Sequence, residues 1–241
     1  MNDSQRLSEV FVELADTLVT DFDVVEFMTM LARRCVEVFH AGDAGVVLAD
    51  ERGTLHSVGA SHESARLLDL FEIQNEEGPC LDCYRTGEQV LNASLAPPDD
   101  RWPIFAPEAR RRGFAMAHAL PMRLRGTVLG AVNLFATDEE PLTASDVAVG
   151  QALADIATIG LLQERTLREA RVLAEQLQAA LTSRIIIEQA KGMLAEHHDT
   201  DMNNAFESLR RYARNNNRRL RDVAEALLDG VLSAEDIPRT P

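Results

Sequence analysis

Between Phe206 and Arg221 the sequence carries six arginines (Arg210, Arg211, Arg214, Arg218, Arg219 and Arg221) against one acidic residue, Glu207. A guanidinium is a planar fork that bonds a phosphate through two N–H groups and stacks on an unpaired base, so this stretch suits a nucleic acid. Arg184 and Lys191 lie just upstream, and Asn217 adds an amide able to read a base. Single-stranded loops are the natural target, because the deep groove of an A-form stem is closed to side chains. The candidate nucleic-acid-facing set is Arg184, Lys191, Arg210, Arg211, Arg214, Asn217, Arg218 and Arg219. A solvated helix face is the alternative reading of the same arginines.

Cys80-Leu-Asp-Cys83 is the second spacing that could do chemistry. Gly78-Pro79 marks a helix start, which puts Cys80 in a first turn where the helix dipole lowers a thiol pKa; Glu76, Glu77 and Asp82 act in the opposite direction. Two thiols three residues apart can close a disulfide, so Cys80 and Cys83 are candidate redox residues, with packing at a helix start as the alternative. Three cysteines in all do not make a disulfide framework, which fits a reducing compartment. Cys80 and Cys83 with Cys35 or His40 do not form a zinc spacing. His118 is the histidine best placed for haem, yet a lone strand histidine reads more simply as a packed side chain. No metal and no cofactor are expected.

The elements that must position these groups follow from periodicity. Ile186, Ile187, Ala190, Met193 and Leu194 recur at helical spacing. A second stripe, Ala205, Phe206, Leu209, Tyr212 and Ala213, follows a cap at Asp199, Thr200 or Asp201. After the turn Asn215-Asn216-Asn217 comes a third, Leu220, Val223, Ala224, Leu227 and Leu228, ending at Gly230. Helices this short need one another for a core. Upstream, two helices split at Thr20-Asp21-Phe22-Asp23 precede a hairpin of 44–49 and 55–60, a helix from Glu63 to Phe71, a short strand from Glu88 to Asn92, and a second hairpin of 114–122 and 127–135. This order implies an antiparallel sheet with helices on one side. From Thr143 a long helix carries Val149, Leu153, Ile156, Gly160, Gln163, Leu167, Ala170, Ala174, Leu177 and Leu181 at heptad spacing, the seam of a parallel homodimer.

At 241 residues two domains are the default. The net charge of −15 is unevenly placed: from Leu181 onward nine basic residues face ten acidic ones, so −14 belongs to the first 180 residues. No unbroken apolar run approaches a membrane span, and Met1-Asn-Asp-Ser-Gln-Arg lacks an apolar signal core, so a cytoplasmic protein without a membrane partner is expected.

Three blocks in order, Ile187-Glu-Gln-Ala-Lys-Gly192, Asn204-Ala-Phe-x-x-Leu-Arg210 and Asn217-x-Arg-Leu-Arg-Asp-Val-Ala224, resemble the ANTAR domain, an RNA-binding output module of bacterial antiterminators. Ala119-Leu-Pro121, Gly126, Gly130 and Asn133-Leu-Phe135 resemble a GAF domain, a sensory module. The stretch Glu77 to Gly87 and Arg101-Trp-Pro-x-Phe105 match the GAF domains usually fused to ANTAR. Cyclic-nucleotide GAF domains carry an Asn-Lys pair that is absent here. The resemblances imply an α+β chain: a GAF sensor domain over 1–142 (an antiparallel sheet flanked by helices), a coiled-coil signalling helix over 143–181, and a three-helix ANTAR domain over 182–236. The function they imply is not enzymatic. It is transcription antitermination through binding of RNA stem-loops, controlled by an unknown small ligand or redox signal at the GAF domain. The alternative is a redox or small-ligand sensor that acts through a protein partner.

Overall fold

A computed structural model of the chain describes residues 3–18, 22–97 and 101–239. Thr20 and Asp21, expected in the break between the first two helices, lie outside the described residues. The chain divides into two compact units, Met1–Thr166 and Leu167–Pro241.

The first unit opens with α1 (Asp3–Thr17) and α2 (Val24–Phe39). Asp23 Oδ1 accepts from the backbone N–H of Val25 at 2.8 Å and of Glu26 at 3.0 Å, meeting two of the donors that a helix start leaves open. The expected hairpin follows as β1 (Asp43–Ala49) and β2 (Leu55–Ala60). Next come α3 (Glu63–Asn75), α4 (Pro79–Thr86), β3 (Val90–Ser94), α5 (Phe105–Arg111), β4 (Met116–Leu124) and β5 (Thr127–Ala136). The third helix continues past Phe71 because Leu68, Asp69 and Glu72 extend its buried face. α5 was not expected from the sequence; it is short, and its Pro107 is tolerated only because it lies in the first turn.

The strands form one antiparallel sheet in the order β2-β1-β5-β4-β3. Ala44, Val46, Leu48, Leu120, Met122, Val132 and Leu134 bury one face against α1, α2 and the start of α6 (Ala144–His198). The alternate residues Val47, Ala117, Ala119, Ala131 and Phe135 pack on α3, α4 and α5. The helices therefore lie on both sides of the sheet, not on one. β1, β4 and β5 are apolar on both faces, and a sheet of that kind must be covered twice.

α6 enters this core through Leu153, Ala154 and Ala157. Gly160, which interrupts the heptad seam, has a packing reason: a Cβ there would lie 2.1 Å from Leu18 Cδ2. An 18-residue window of α6 has mean hydropathy 1.3 and is long and apolar enough, by length and composition, to cross a membrane. Counting unbroken apolar runs missed it, since scattered polar residues divide the window. Leu153, Ala154 and Ala157 bury against the sheet instead.

α6 runs without a break to His198, so the first expected helix of the C-terminal trio is its last part. No Gly or Pro near residue 181 would end it. In the second unit α7 (Met202–Asn215) is capped by Asp201, whose Oδ1 accepts from Asn203 N at 2.8 Å and Asn204 N at 2.9 Å. α8 (Leu220–Leu228) completes a core of Ala190, Leu194, Ala205, Leu209, Val223, Ala224 and Leu227. Leu232 and Ile237, beyond the last expected helix, join this core.

Candidate nucleic-acid interface

The α7–α8 connection is built by its asparagines. Asn216 Nδ2 donates to Tyr212 O at 2.9 Å, and Asn217 takes a left-handed backbone with φ 50°, which asparagine tolerates better than most residues. Arg218 N then closes back on Ala213 O at 2.9 Å. This turn sets Arg214, Asn217, Arg218 and Arg219 side by side, all exposed, at the junction of two helices.

The eight expected residues separate by what already holds them. Arg184, Arg214 and Arg219 are exposed and make no side-chain hydrogen bond or ion pair among the described residues. Arg218 has one long bond, 3.3 Å to Asp222 O, and Arg210 lies 3.4 Å from Glu207 one turn away. Lys191 keeps only 14% of its side chain exposed; its Nζ is 2.9 Å from Glu188 and 5.4 Å from the centre of the Phe206 ring. Arg211 is engaged elsewhere through one nitrogen, Nη2, which donates to Pro238 O at 3.0 Å and Arg239 O at 2.9 Å. With His198 Nε2 3.0 Å from Ile237 O, it holds the final segment against the helices. Nothing in the sequence signals this second use of an arginine, because its partners are backbone carbonyls far along the chain. A Cβ at Gly192 would meet nothing within 4 Å, so packing inside this unit does not require the glycine.

The thiols sit in a different environment from the one their spacing suggests. α4 does begin at Pro79, but Cys80 and Cys83 are both buried. Burial first, then the charges of Glu72 and Asp69, push the Cys80 thiol well above its ordinary range, and burial pushes Cys83 up to about 12. The lowering expected from the helix dipole is outweighed. Glu77 and Asp82 have structural partners: Glu77 Oε1 accepts from Ile104 N at 2.6 Å and Phe105 N at 2.9 Å, and Trp102 Nε1 donates to Asp82 Oδ2 at 2.9 Å. The two sequence blocks around Cys80 and Trp102 are thus tied to each other.

Beside Cys80 lies a buried polar group that the sequence reading missed. Asn133 Nδ2 donates to Asp69 Oδ1 at 2.9 Å and reaches Glu72 Oε2 at 3.4 Å, and Ser57 Oγ donates to Asp69 Oδ2 at 3.2 Å. Glu72 Oε1 and Asn133 Oδ1 have no partner among the described residues. Burial pushes Asp69 up to about 7, and burial together with the Asp69 charge pushes Glu72 well above its ordinary range. The available signal was two acids three residues apart on the apolar face of Leu67-Leu68-Asp69-Leu70-Phe71-Glu72. His118 Nδ1 accepts from Asn92 N–H at 2.9 Å, which puts the ring proton on Nε2 and leaves no lone pair there for an iron or zinc ion.

Comparison with known families matches residues 23–161 to the GAF domain and residues 175–228 to the ANTAR domain. No curated protein matches the chain. Among solved structures it resembles the GAF domain of a phosphoenolpyruvate-protein phosphotransferase from Coxiella burnetii, at 12% identity and TM-score 0.54 over 70% of this chain and 99% of that one. It also resembles the GAF domain of the Acinetobacter phosphoenolpyruvate-protein phosphotransferase, at 11% identity and TM-score 0.50 over 68% of this chain and 97% of that one. At these identities the likeness concerns the fold.

Proposed function

We propose, for a chain that belongs to the GAF domain family and carries an ANTAR domain after it, a dimeric regulator that binds paired RNA stem-loops and opposes transcription termination under control of a signal received by the first unit. Both domains are regulatory rather than catalytic, and ANTAR implies an RNA-binding antitermination regulator. The observation that carries the reading is the coincidence of residues 175–228 with a surface where Arg184, Arg214 and Arg219 stand exposed and uncommitted. Cytoplasmic location belongs to the same proposal, as does a small-ligand or redox input.

The test compares the intact chain with its first unit alone. A fragment of residues 1–142 would strip Leu153, Ala154 and Ala157 from the core, so the appropriate fragment is 1–166. The intact chain is expected to bind stem-loops with an affinity that falls as salt rises, by counterion release. The 1–166 fragment, which carries nearly all the negative charge, is expected to show no specific binding. Equal affinities would overturn the proposal.

The dimer rests on α6. Leu167, Leu177 and Leu181 are 64%, 63% and 54% exposed and continue the heptad seam with Ala170 and Ala174. A row of leucines in water favours burial against a second copy. Leu167→Glu with Leu177→Glu is expected to halve the mass seen by light scattering, since charges in a seam oppose pairing. An unchanged mass would place the contact elsewhere.

A further inference from the structure

We infer that the cleft between the end of α2, the start of β4, the end of β5 and the start of α6 is the ligand site of the first unit, and that it takes a small organic cation carrying an oxygen acceptor. The inference rests on the sensor reading given above. It concerns the sheet face that carries α1, α2 and α6. The opposite face packs Leu68, Phe105 and Phe135 and carries the buried Asp69, Glu72 and Asn133 group described above.

The cleft measures about 220 Å³ and has an apolar wall of Val38, Phe39, Leu134 and Leu142. That is smaller than the roughly 300–1,000 Å³ of drug-sized pockets, so it suits a small metabolite. His118, 1% exposed, lines it. Its Nδ1 is used by Asn92 N–H, and its Nε2 has no partner among the described residues. A buried imidazole thus offers one unspent N–H donor, which fits an oxygen acceptor and suits neither a metal ion nor a second donor. Burial lowers the His118 pKa to about 4, so the ring is neutral near pH 7. The other ionisable lining residues are His40, Asp138, Glu140 and Asp146, with no Lys or Arg among the lining residues, so carboxylates dominate the rim. Such a rim repels anions and attracts a cation. Asp138 accepts from Glu140 N at 3.2 Å and Asp146 from Thr143, while Glu140 is exposed with its carboxylate unbonded among the described residues.

Position gives the site its consequence. Asn92, whose N–H is held by His118, grips Leu142 from both sides: its Oδ1 accepts from Leu142 N at 2.8 Å and its Nδ2 lies 3.4 Å from Leu142 O. The next residue, Thr143, caps α6 with Asp146, each side chain bonding the other's backbone N–H. A ligand seated on His118 therefore touches the root of the helix that continues into the second unit.

The test uses the intact chain with 15N-labelled histidine and three probes: glycinamide, which has both an ammonium group and a carbonyl oxygen, ethylammonium, which lacks the acceptor, and acetamide, which lacks the charge. Glycinamide is expected to shift the His118 Nε2 resonance saturably, with an affinity about tenfold tighter than either fragment. Glu140→Gln, an exposed change that leaves the fold intact, is expected to erase that advantage over acetamide. No shift at His118, equal shifts from all three probes, or an unchanged preference in Glu140→Gln would overturn the site. Loss of RNA binding by the intact chain would instead overturn the antitermination proposal and leave this result standing.

Discussion

Replacing Arg184, Arg214 and Arg219 together by alanine is expected to weaken stem-loop binding by at least about a hundredfold and to leave the melting temperature nearly unchanged. These three side chains are exposed and hold nothing else among the described residues, so their removal leaves no partner orphaned. Exposed charges contribute little to folding. An arginine that reads a base contributes roughly 1–3 kcal/mol, so three at the lower bound already exceed two decades in affinity. Arg211→Ala is the contrasting change, because it frees the carbonyls of Pro238 and Arg239 and loosens the segment that brings Ile237 into the core. It should lower stability first and RNA affinity only through that loss. Fluorescence anisotropy with labelled RNA, beside thermal melts of each variant, separates the two cases. Parent-like binding by the triple variant would make this face a solvated surface.

Asp69 is expected to withdraw stability from the first unit as the pH rises from about 4 to about 7. Its carboxyl titrates near 7 when folded against 3.8 ordinarily, because it is buried. The folded state therefore holds a proton that the unfolded chain releases across that window. The stabilisation is complete below the unfolded value and is lost as pH climbs through the folded one. Three pKa units correspond to something on the order of 4 kcal/mol. Glu72 acts in the same direction. His118, whose pKa burial lowers to about 4, and Asp50 and Glu108, whose pKa values are lowered by their hydrogen bonds, act in the opposite direction, so the raw pH curve mixes both trends. Asp69→Asn isolates the effect: the amide stays neutral, still accepts from Asn133 and can donate to Ser57. Its stability advantage over the parent should grow by several kcal/mol between pH 4.5 and pH 8, as read from denaturant unfolding of residues 1–166. A difference that does not change with pH would mean that the Asp69 carboxylate is solvated.

Local rules made much of this legible. The buried apolar run 44–49 with its hairpin partner 55–60, the paired strands around Arg123-Leu-Arg-Gly126, and the stripes of α7 and α8 are local signals, and the structure keeps them. Asp201 was one of three possible caps and proved to be the one used. What escaped the sequence depends on distant partners. Both faces of β4 are apolar, yet only the fold shows that separate helix layers cover them. The helical pattern of 186–194 is the same whether it belongs to a separate helix or to the end of α6. Cys80 is a case of this kind: the sequence left the direction of its shift open, since its helix-start position is local, while Asp69 and Glu72, whose charges help to raise it, come from α3. In the RNA-facing set, residue types mark the seven basic positions alike, and only the contacts reveal that Arg211 and Lys191 are committed elsewhere.

The most direct test of the central claim is single-round transcription in vitro through a terminator preceded by paired stem-loops, with the intact chain added and readthrough measured. The account predicts that readthrough rises with protein concentration, falls as salt is raised, and is absent for residues 1–166 and for the Arg184, Arg214 and Arg219 triple variant. Unchanged readthrough at protein concentrations that saturate the RNA would contradict it.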